Sequence, residues 1–217
     1  MEIYLMRHGT TDWNLAKRIQ GSTDIPLNED GILLAKKSGE NLKNTHFDAI
    51  FSSPLIRAYR TALCIRGDRA DIPLIKDERL REFNFGIYEG KTSEERDAMS
   101  NGRFSDFFKA PEKFVPKEGG ESLHELLDRT RDFMKNMIEP LALLSPDENP
   151  FGKNKNIERI FISGHGAMNK AIMMYVKGRT DLSLFWDGPW QRNCNVVIMK
   201  YENEKYEIIN EEAFFGE

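Results

Sequence analysis

Residues 2–9 read EIYLMRHG, an apolar run that ends abruptly in an arginine, a histidine and a glycine. The apolar part has the length and the aliphatic content of a buried strand. Arg7, His8 and Gly9 then follow at its carboxyl end, where a glycine lets the backbone approach a ligand closely. A buried strand that runs directly into charged and titratable residues predicts an α/β sheet with a site at its edge.

Outward from this strand, short apolar runs alternate with amphipathic segments. Further strands are predicted at residues 48–51, 73–75 and 157–163, with a terminal hairpin at residues 196–201 and 206–209. Helices are predicted at residues 28–42, 54–65, 121–144 and 168–176. This alternation predicts an α/β fold with three layers, a mostly parallel central sheet flanked by helices.

Polar clusters stand at or just after the ends of the predicted strands. They are Arg7-His8-Gly9, Ser52-Ser53-Pro54, Arg81-Glu82 and Ser163-Gly164-His165-Gly166. In an open α/β sheet the ligand site lies beyond the carboxyl ends of the strands, so the fold should bring these clusters together. The other two histidines, His46 and His124, lack this context and are expected to be ordinary hydrogen-bonded side chains.

The residue types in these clusters suit phosphoryl transfer. That reaction needs a nucleophile, positive charge around the phosphate oxygens and an acid for the leaving oxygen. A neutral imidazole such as that of His8 can attack phosphorus when its other nitrogen is held by a hydrogen bond. The guanidinium groups of Arg7 and Arg57 are planar forks suited to phosphate, and Glu82 is the candidate acid.

A resemblance to a known family rests on six segments that occur in order along nearly the whole chain. They are Leu5-Met6-Arg7-His8-Gly9-Thr10-Thr11-Asp12-Trp13-Asn14, Arg18-Ile19-Gln20-Gly21 with Pro26-Leu27-Asn28, Ser52-Ser53-Pro54-Leu55-Ile56-Arg57-Ala58 with Thr61-Ala62, Leu80-Arg81-Glu82 with Gly86 and Glu89-Gly90, Gly119-Gly120-Glu121-Ser122, and Ser163-Gly164-His165-Gly166. Together they resemble the histidine phosphatase superfamily, in its phosphoglycerate mutase-like branch. Asn193-Cys194-Asn195 also resembles the stretch before the family's last strands. The resemblance implies a phosphoglycerate mutase-like fold.

The resemblance also implies a role for individual residues. His8 would be the nucleophile that forms a phosphohistidine, and Glu82 would protonate the leaving group and later activate water. The phosphate pocket would be made by Arg7, Arg57 and His165. Asn14 and Arg18 would contact the phosphate or the near end of the substrate, and the mouth would be lined by Gln20, Gly21 and Ser22. The family works without a metal or an organic cofactor, so none is expected.

Composition is that of an ordinary globular protein of one domain, residues 1–217. The formal net charge of −4 argues weakly against a nucleic-acid carrier, but a small phosphorylated substrate can still bind in a basic pocket. Two cysteines are too few for a disulfide framework, and no apolar stretch is long enough to span a bilayer. We therefore expect a cytoplasmic enzyme without a nucleic-acid or membrane partner, and a homodimer is left open.

An insertion at about residues 92–120 is expected over the active site. It holds four phenylalanines, five basic residues and six acidic residues. The mutases of the resembled family follow their glutamate with Arg-His-Tyr and carry further basic residues in the insertion. In this chain Glu82 is followed by Phe83-Asn84-Phe85, which favours the phosphatase members. The phenylalanines predict either an apolar wall for the substrate or packing of the insertion onto the sheet.

Four functions are compatible with these residues. The favoured one is a metal-independent histidine acid-type phosphatase, a phosphomonoester hydrolase acting through a phosphohistidine on a small phosphorylated metabolite. The first alternative is a cofactor-dependent phosphoglycerate mutase. The others are a catalytically inactive module that binds phosphorylated ligands and a metallohydrolase built on His8, His165 and a carboxylate. The sequence contains no compact metal-ligand motif that would support the last.

Overall fold

The computed structural model describes residues 1–152 and 154–217 of the chain. Its strands form one six-stranded sheet in the order β3-β2-β4-β1-β5-β6. The strands are β1 (Glu2–Arg7), β2 (Ala49–Ser52), β3 (Leu74–Lys76), β4 (Arg159–Gly164), β5 (Asn195–Glu202) and β6 (Lys205–Phe214). Strands β1 to β4 run parallel to one another, while β5 is antiparallel to both β1 and β6. The predicted mostly parallel sheet is confirmed.

The helices follow the predicted order along the chain. They are α1 (Asp12–Leu15), α2 (Glu29–Asn41), α3 (Ile56–Arg66), α4 (Ser93–Ser100), α5 (Asp106–Lys109), α6 (Leu123–Phe133), α7 (Glu139–Leu141) and α8 (Gly166–Val176). Asn28 is the N-cap of α2, because its side chain accepts a hydrogen bond from the amide of Gly31. A π-helical turn, Met134–Ile138, joins α6 to α7, so the helix predicted at residues 121–144 is three helical segments in series. Within the described residues, no helix is both long and apolar enough to cross a membrane.

Alternate residues of each central strand face two different cores, which makes the molecule three-layered. In β1, Ile3 and Leu5 pack in one buried cluster with residues of α6 and α8. Met6 belongs to a second cluster that includes Ala35 of α2 and Ala62 of α3. Since successive side chains of a strand point to opposite faces, the sheet is covered by helices on both sides.

The carboxyl ends of the parallel strands lie side by side at one edge of the sheet. The amide of His8, just past β1, donates to the carbonyl of Gly164 at the end of β4 (3.0 Å). The amide of Ser53, just past β2, donates to the carbonyl of Ser163 (3.0 Å). The polar clusters that follow β1, β2 and β4 are therefore neighbours in space.

The segment at residues 92–120 packs onto this edge through aromatic side chains. Phe107 of α5 is fully buried, and its ring centroid lies 4.9 Å from that of Phe83, 4.9 Å from that of Phe85 and 5.0 Å from that of Phe114. The contacts with Phe85 and Phe114 are edge-to-face, and contacts of this kind stabilise a cluster beyond the area that it buries. The packing role predicted for the phenylalanines is therefore real. Phe107 and Phe108 have a second role as well, because they also line the cavity of the candidate site.

The C-terminal hairpin is longer than predicted. β6 extends to Phe214, five residues beyond the predicted end at Ile209, and pairs with β5 across a bulge near Ile198. Three successive polar residues, Asn210-Glu211-Glu212, interrupt the alternation of apolar and polar residues by which strands are detected.

Candidate active site

A cavity of about 140 Å³ opens where the carboxyl ends of β1 and β4 meet. Its lining residues are Arg7, His8, Asn14, Arg18, Ile19, Gln20, Gly21, Arg57, Glu82, Phe85, Phe107, Phe108, Gly166, Ala167, Trp186 and Trp190. Of the site residues predicted from the sequence, all except His165 and Ser22 line this cavity.

His8 is held in one tautomer by its own neighbour. Its Nδ1 lies 2.6 Å from the carbonyl oxygen of Gly9, and because a carbonyl can only accept, Nδ1 carries the proton in the neutral ring. The lone pair then resides on Nε2. The backbone around the ring is held by Asn193, whose side-chain amide donates to the carbonyls of His8 (2.8 Å) and Gly9 (3.1 Å).

The surroundings of His8 keep its imidazole neutral. The side chain is 3% exposed, and burial lowers the pKa of His8 well below its ordinary value of 6.5. The positive charges of Arg57 and Arg7 lower this pKa further, while the hydrogen bond to Gly9 acts weakly against them. A neutral ring with a free Nε2 is the nucleophilic form of histidine.

His165 packs against His8 rather than lining the cavity. The two rings are 5.2 Å apart between centroids, and His165 is fully buried. Burial and the charge of Arg57 lower the pKa of His165 well below 6.5. Neither of its ring nitrogens has a hydrogen-bond partner among the described residues. An unpartnered buried imidazole next to His8 is able to bond a ligand atom without giving up an existing contact.

Arg57 of α3 is fully buried and holds the loop at one side of the cavity. Its guanidinium donates to the carbonyls of Gly21 (2.6 Å) and Thr23 (2.8 Å), and its Nε has no partner among the described residues. Burial lowers the pKa of Arg57 to about 10, so the group stays charged at neutral pH. Gly21 has a φ of +57°, and a side chain there would meet the carboxylate of Glu89.

Arg7 at the end of β1 is oriented from the loop that precedes β5. One terminal nitrogen donates to the carbonyl of Gln191 (2.8 Å), and the Nε of Arg7 is buried without a partner in the described part of the chain. The side-chain amide of Gln191 donates in turn to the carbonyls of Leu5 and Asn195, both at 2.9 Å. Burial lowers the pKa of Arg7, but the nearby Glu82 raises it and the group remains a cation.

Glu82 reaches the cavity across the N-terminus of α8. Its carboxylate accepts hydrogen bonds from the amides of Ala167 (3.2 Å) and Met168 (3.0 Å), and from the amide of Phe83 (2.9 Å). Free amides at a helix N-terminus favour a carboxylate at this position. These bonds fix the side chain where it lines the same cavity as His8.

The remaining polar residues of the wall already have partners, with one exception. The Oδ1 of Asn14 accepts from the amide and hydroxyl of Thr11, both at 3.1 Å. The guanidinium of Arg18 donates to the carbonyl of Gly90 (2.5 Å) and forms an ion pair with Glu95 (2.9 Å). The exception is the Oε1 of Gln20, which is buried without a partner within the described residues.

Ser22 differs from its predicted place at the cavity mouth. Its amide and its hydroxyl both donate to Oε1 of Glu89, at 2.8 and 3.0 Å, and these bonds hold the side chain away from the cavity. It lines an adjoining cleft of about 480 Å³, which shares Glu82 with this cavity. Glu89 also accepts from the amides of Thr23 (2.8 Å) and Phe85 (3.1 Å), so this carboxylate fixes the loop that Arg57 contacts.

The arrangement as a whole is suited to a tetrahedral anion. The guanidinium groups of Arg57, which is fully buried, and of Arg7, which is partly buried, line one small cavity together with the imidazole of His8 and the carboxylate of Glu82. Nε of Arg7 and of Arg57 are donors without partners among the described residues, which phosphate oxygens could satisfy. No group of three or more metal-binding side chains is found within residues 1–152 and 154–217.

Comparison with known proteins agrees with this geometry. The family model of the histidine phosphatase superfamily (branch 1) matches residues 3–212. The chain belongs to this superfamily. The solved structure of YhfR from Bacillus stearothermophilus has the same fold as this histidine phosphatase superfamily member, with a TM-score of 0.86 and 30% identity over 100% of this chain and 99% of that one.

Relatives of this superfamily member include proteins named as phosphatases and proteins named as mutases. The "Uncharacterized phosphatase PhoE" of Bacillus subtilis is 34% identical over 81% of this chain and 77% of its own length. "Phosphoserine phosphatase 1" of Hydrogenobacter thermophilus is 30% identical over 100% of this chain and 95% of its own length. A "Probable phosphoglycerate mutase GpmB" of Yersinia pestis is 38% identical, but over only 59% of this chain and 62% of its own length.

Sequence reasoning about this superfamily member missed two tryptophans and two residues with side-chain amides. Trp186 and Trp190 line the cavity, and Gln191 and Asn193 position Arg7 and His8. Gln191 lies 184 residues from Arg7, whose guanidinium donates to its carbonyl, and Asn193 lies 185 residues from His8, whose carbonyl it binds, so spacing along the chain could not reveal them. The sequence did contain a clue to the tryptophans. Two large aromatic side chains lie close together in the segment between α8 and β5, where large aromatic side chains often contribute to binding sites.

Proposed function

We propose that this protein is a phosphomonoesterase that transfers the phosphoryl group of a small metabolite to His8 and then to water. The observation that supports this most directly is the hydrogen bond between Nδ1 of His8 and the carbonyl of Gly9. It leaves the lone pair of the neutral imidazole on Nε2, and His8 lines a cavity that Arg7 and Arg57 also line. The phosphatase names of the relatives support the same class of reaction.

In the first step, Nε2 of His8 attacks phosphorus and the bond between phosphorus and the ester oxygen breaks. Glu82 enters this step protonated, donates its proton to that oxygen and becomes a carboxylate, and the alcohol leaves. Arg7 and Arg57 stabilise the charge on the transferring group, which is the main catalytic task in phosphoryl transfer. His165, whose ring packs against His8, contributes a hydrogen bond to a phosphate oxygen.

In the second step, the carboxylate of Glu82 takes a proton from water as the water oxygen attacks phosphorus. The bond between phosphorus and Nε2 breaks, inorganic phosphate forms, and Glu82 and His8 return to their starting states. One carboxyl group therefore acts as acid in the first step and as base in the second.

Trapping the intermediate tests this function. Brief incubation with p-nitrophenyl phosphate, followed by a quench without acid, should yield protein carrying one phosphoryl group on His8. The label should be labile in acid and stable in base. His8→Ala should abolish both labelling and turnover, whereas the matched variant His124→Ala, at an exposed position on α6, should retain both. Full turnover by His8→Ala would contradict the proposal.

The proposed reaction assigns no task to a divalent cation, because arginines carry the charge that a metal would otherwise neutralise. We therefore expect phosphatase activity to survive exhaustive treatment with EDTA. Loss of activity that zinc or magnesium restores would instead support a metallohydrolase.

A further inference from the structure

Two tryptophans form a stacked pair at the mouth of the cavity. The ring centroids of Trp186 and Trp190 are 5.3 Å apart and their planes differ by 29°. Both line the cavity, and Trp190 is 55% exposed. Trp190 thus offers a broad apolar surface beside a site that is otherwise charged at its base.

This surface lies close to the phosphate-binding charges. The Cζ atom of Arg7 is 5.8 Å from the ring centroid of Trp190. A phosphate held by Arg7 and attacked by His8 would therefore direct its ester group past the indole. The leaving group, rather than the phosphate, is the part of a substrate that Trp190 can contact.

The segment that carries the pair is fixed before any ligand arrives. Lys170 of α8, itself largely buried, donates to the carbonyls of Asp187 (2.7 Å) and Pro189 (3.0 Å). The indole nitrogen of Trp186 donates to the carbonyl of Phe107 (2.6 Å), which connects the pair to α5. An aromatic surface held in this way costs a ligand little ordering entropy on binding.

Most of the other side chains that line the cavity away from its charged base are apolar, and they offer little to a second anionic group. Ile19, Phe85 and Phe108 are among them, and Phe108 lies 5.3 Å from Trp186 between ring centroids. Arg18 is the cation at the mouth among the described lining residues, and it is already paired with Glu95. A planar apolar group therefore fits this mouth better than a carboxylate or a second phosphate.

We propose that the Trp186–Trp190 pair selects phosphomonoesters whose leaving alcohol carries a planar aromatic ring. The inference rests on the proposed phosphatase function and names the class of substrate for the same site. Trp190 is the residue that sets the specificity, because it is the more accessible member of the pair and the one beside Arg7.

The test compares benzyl phosphate with cyclohexylmethyl phosphate. Both release a primary alcohol, so both need the same protonation by Glu82, and their rings are similar in size. Only one ring is planar and can stack. We expect kcat/KM of the wild-type protein to favour benzyl phosphate roughly two- to tenfold, as stacking free energies of aromatic pairs imply. Trp190→Leu should remove the preference by lowering kcat/KM for benzyl phosphate alone, and Trp190→Phe should restore much of it.

Leu184→Ala is the matched control, because Leu184 is exposed on the same segment and does not line the cavity. It should keep the wild-type ratio. Equal use of the two ring esters by wild-type protein that hydrolyses p-nitrophenyl phosphate would overturn the selectivity and leave the phosphatase function standing. A preference that survives in Trp190→Leu would also overturn it. Wild-type protein inert toward all three esters would overturn the phosphatase function, and the selectivity with it.

Discussion

At the scale of single residues, the proposed proton donation by Glu82 can be tested separately from the hydrogen bonds that its side chain accepts. Glu82→Gln keeps the size of the side chain and an oxygen that can accept from the amides of α8, but it cannot donate a proton to a leaving oxygen. We expect a loss of about 10²–10⁴-fold in kcat/KM, which reports the step that forms the phosphohistidine, for an alkyl monoester. The loss should be much smaller for p-nitrophenyl phosphate, whose alcohol leaves with little protonation. Equal losses for the two esters would show that Glu82 is not the acid.

The two buried histidines should also make stability depend on pH. Burial lowers the pKa values of His8 and His165 in the folded protein, whereas in the unfolded chain both take up protons at the ordinary value of 6.5. The free energy of unfolding should therefore be fully maintained above about pH 6.5 and fall as the pH drops below it. The slope should reach about 1.4 kcal/mol per pH unit for each histidine.

Urea denaturation of substrate-free protein at pH 7, 6 and 5 measures this slope. His165→Gln should reduce this slope by the contribution of one histidine, about 1.4 kcal/mol per pH unit. Contributions from carboxylates that titrate at lower pH remain common to both proteins. Parallel pH dependences for wild type and variant would show that His165 is not held neutral by the fold.

At the scale of elements, the loop at residues 21–23 depends on one carboxylate. Glu89 accepts hydrogen bonds from Ser22, Thr23 and Phe85, and the same loop supplies two carbonyls to Arg57. Glu89→Ala would leave several donors without a partner, so we expect the free energy of unfolding to fall by about 1–3 kcal/mol.

Because Arg57 would lose its fixed partners, kcat/KM should also fall in Glu89→Ala, mainly through a rise in KM. Glu112→Ala, at an exposed position of the same charge, is the control for both measurements. Unchanged kinetics together with reduced stability would mean that the loop does not orient Arg57.

The elements show how much of the site could be predicted from the sequence. β1 was predictable because its apolar run ends at Arg7 and His8, and the sheet edge then follows from the parallel alternation. Ser22 was misplaced because its partner Glu89 lies 67 residues away along the chain. Trp190 was missed for a similar reason: its contact with Arg7 depends on how the segment after α8 folds back over the sheet.

At the scale of the whole molecule, the distribution of charge should decide between hydrolysis and isomerisation. A mutase retains its intermediate by closing over it and binding an acceptor through additional cations. In this protein one arginine that lines the cavity and one on α4 are already engaged. Arg18 pairs with Glu95, and Arg96 donates to the carbonyl of Lys91 while its guanidinium lies 4.6 Å from the ring of Phe104.

We therefore expect release of inorganic phosphate from several monoesters, with 3-phosphoglycerate a poor substrate and little 2-phosphoglycerate formed. Phosphate release and isomerisation should be measured on the same protein sample, with and without 2,3-bisphosphoglycerate. Isomerisation much faster than phosphate release would identify a mutase and leave the chemistry of His8 unchanged.

The contacts made by Gln191 and Asn193 also determine when the site can assemble during synthesis of the chain. Arg7 and His8 leave the ribosome well before these partners, which lie 184 and 185 positions later. In a nascent chain, Arg7 and His8 therefore lack these contacts until the segment before β5 has emerged. Such long sequence separation slows folding and leaves β1 without its β4 and β5 neighbours until both have been synthesised. Phosphatase activity should thus appear in a single late event and should be absent from nascent chains arrested before residue 191.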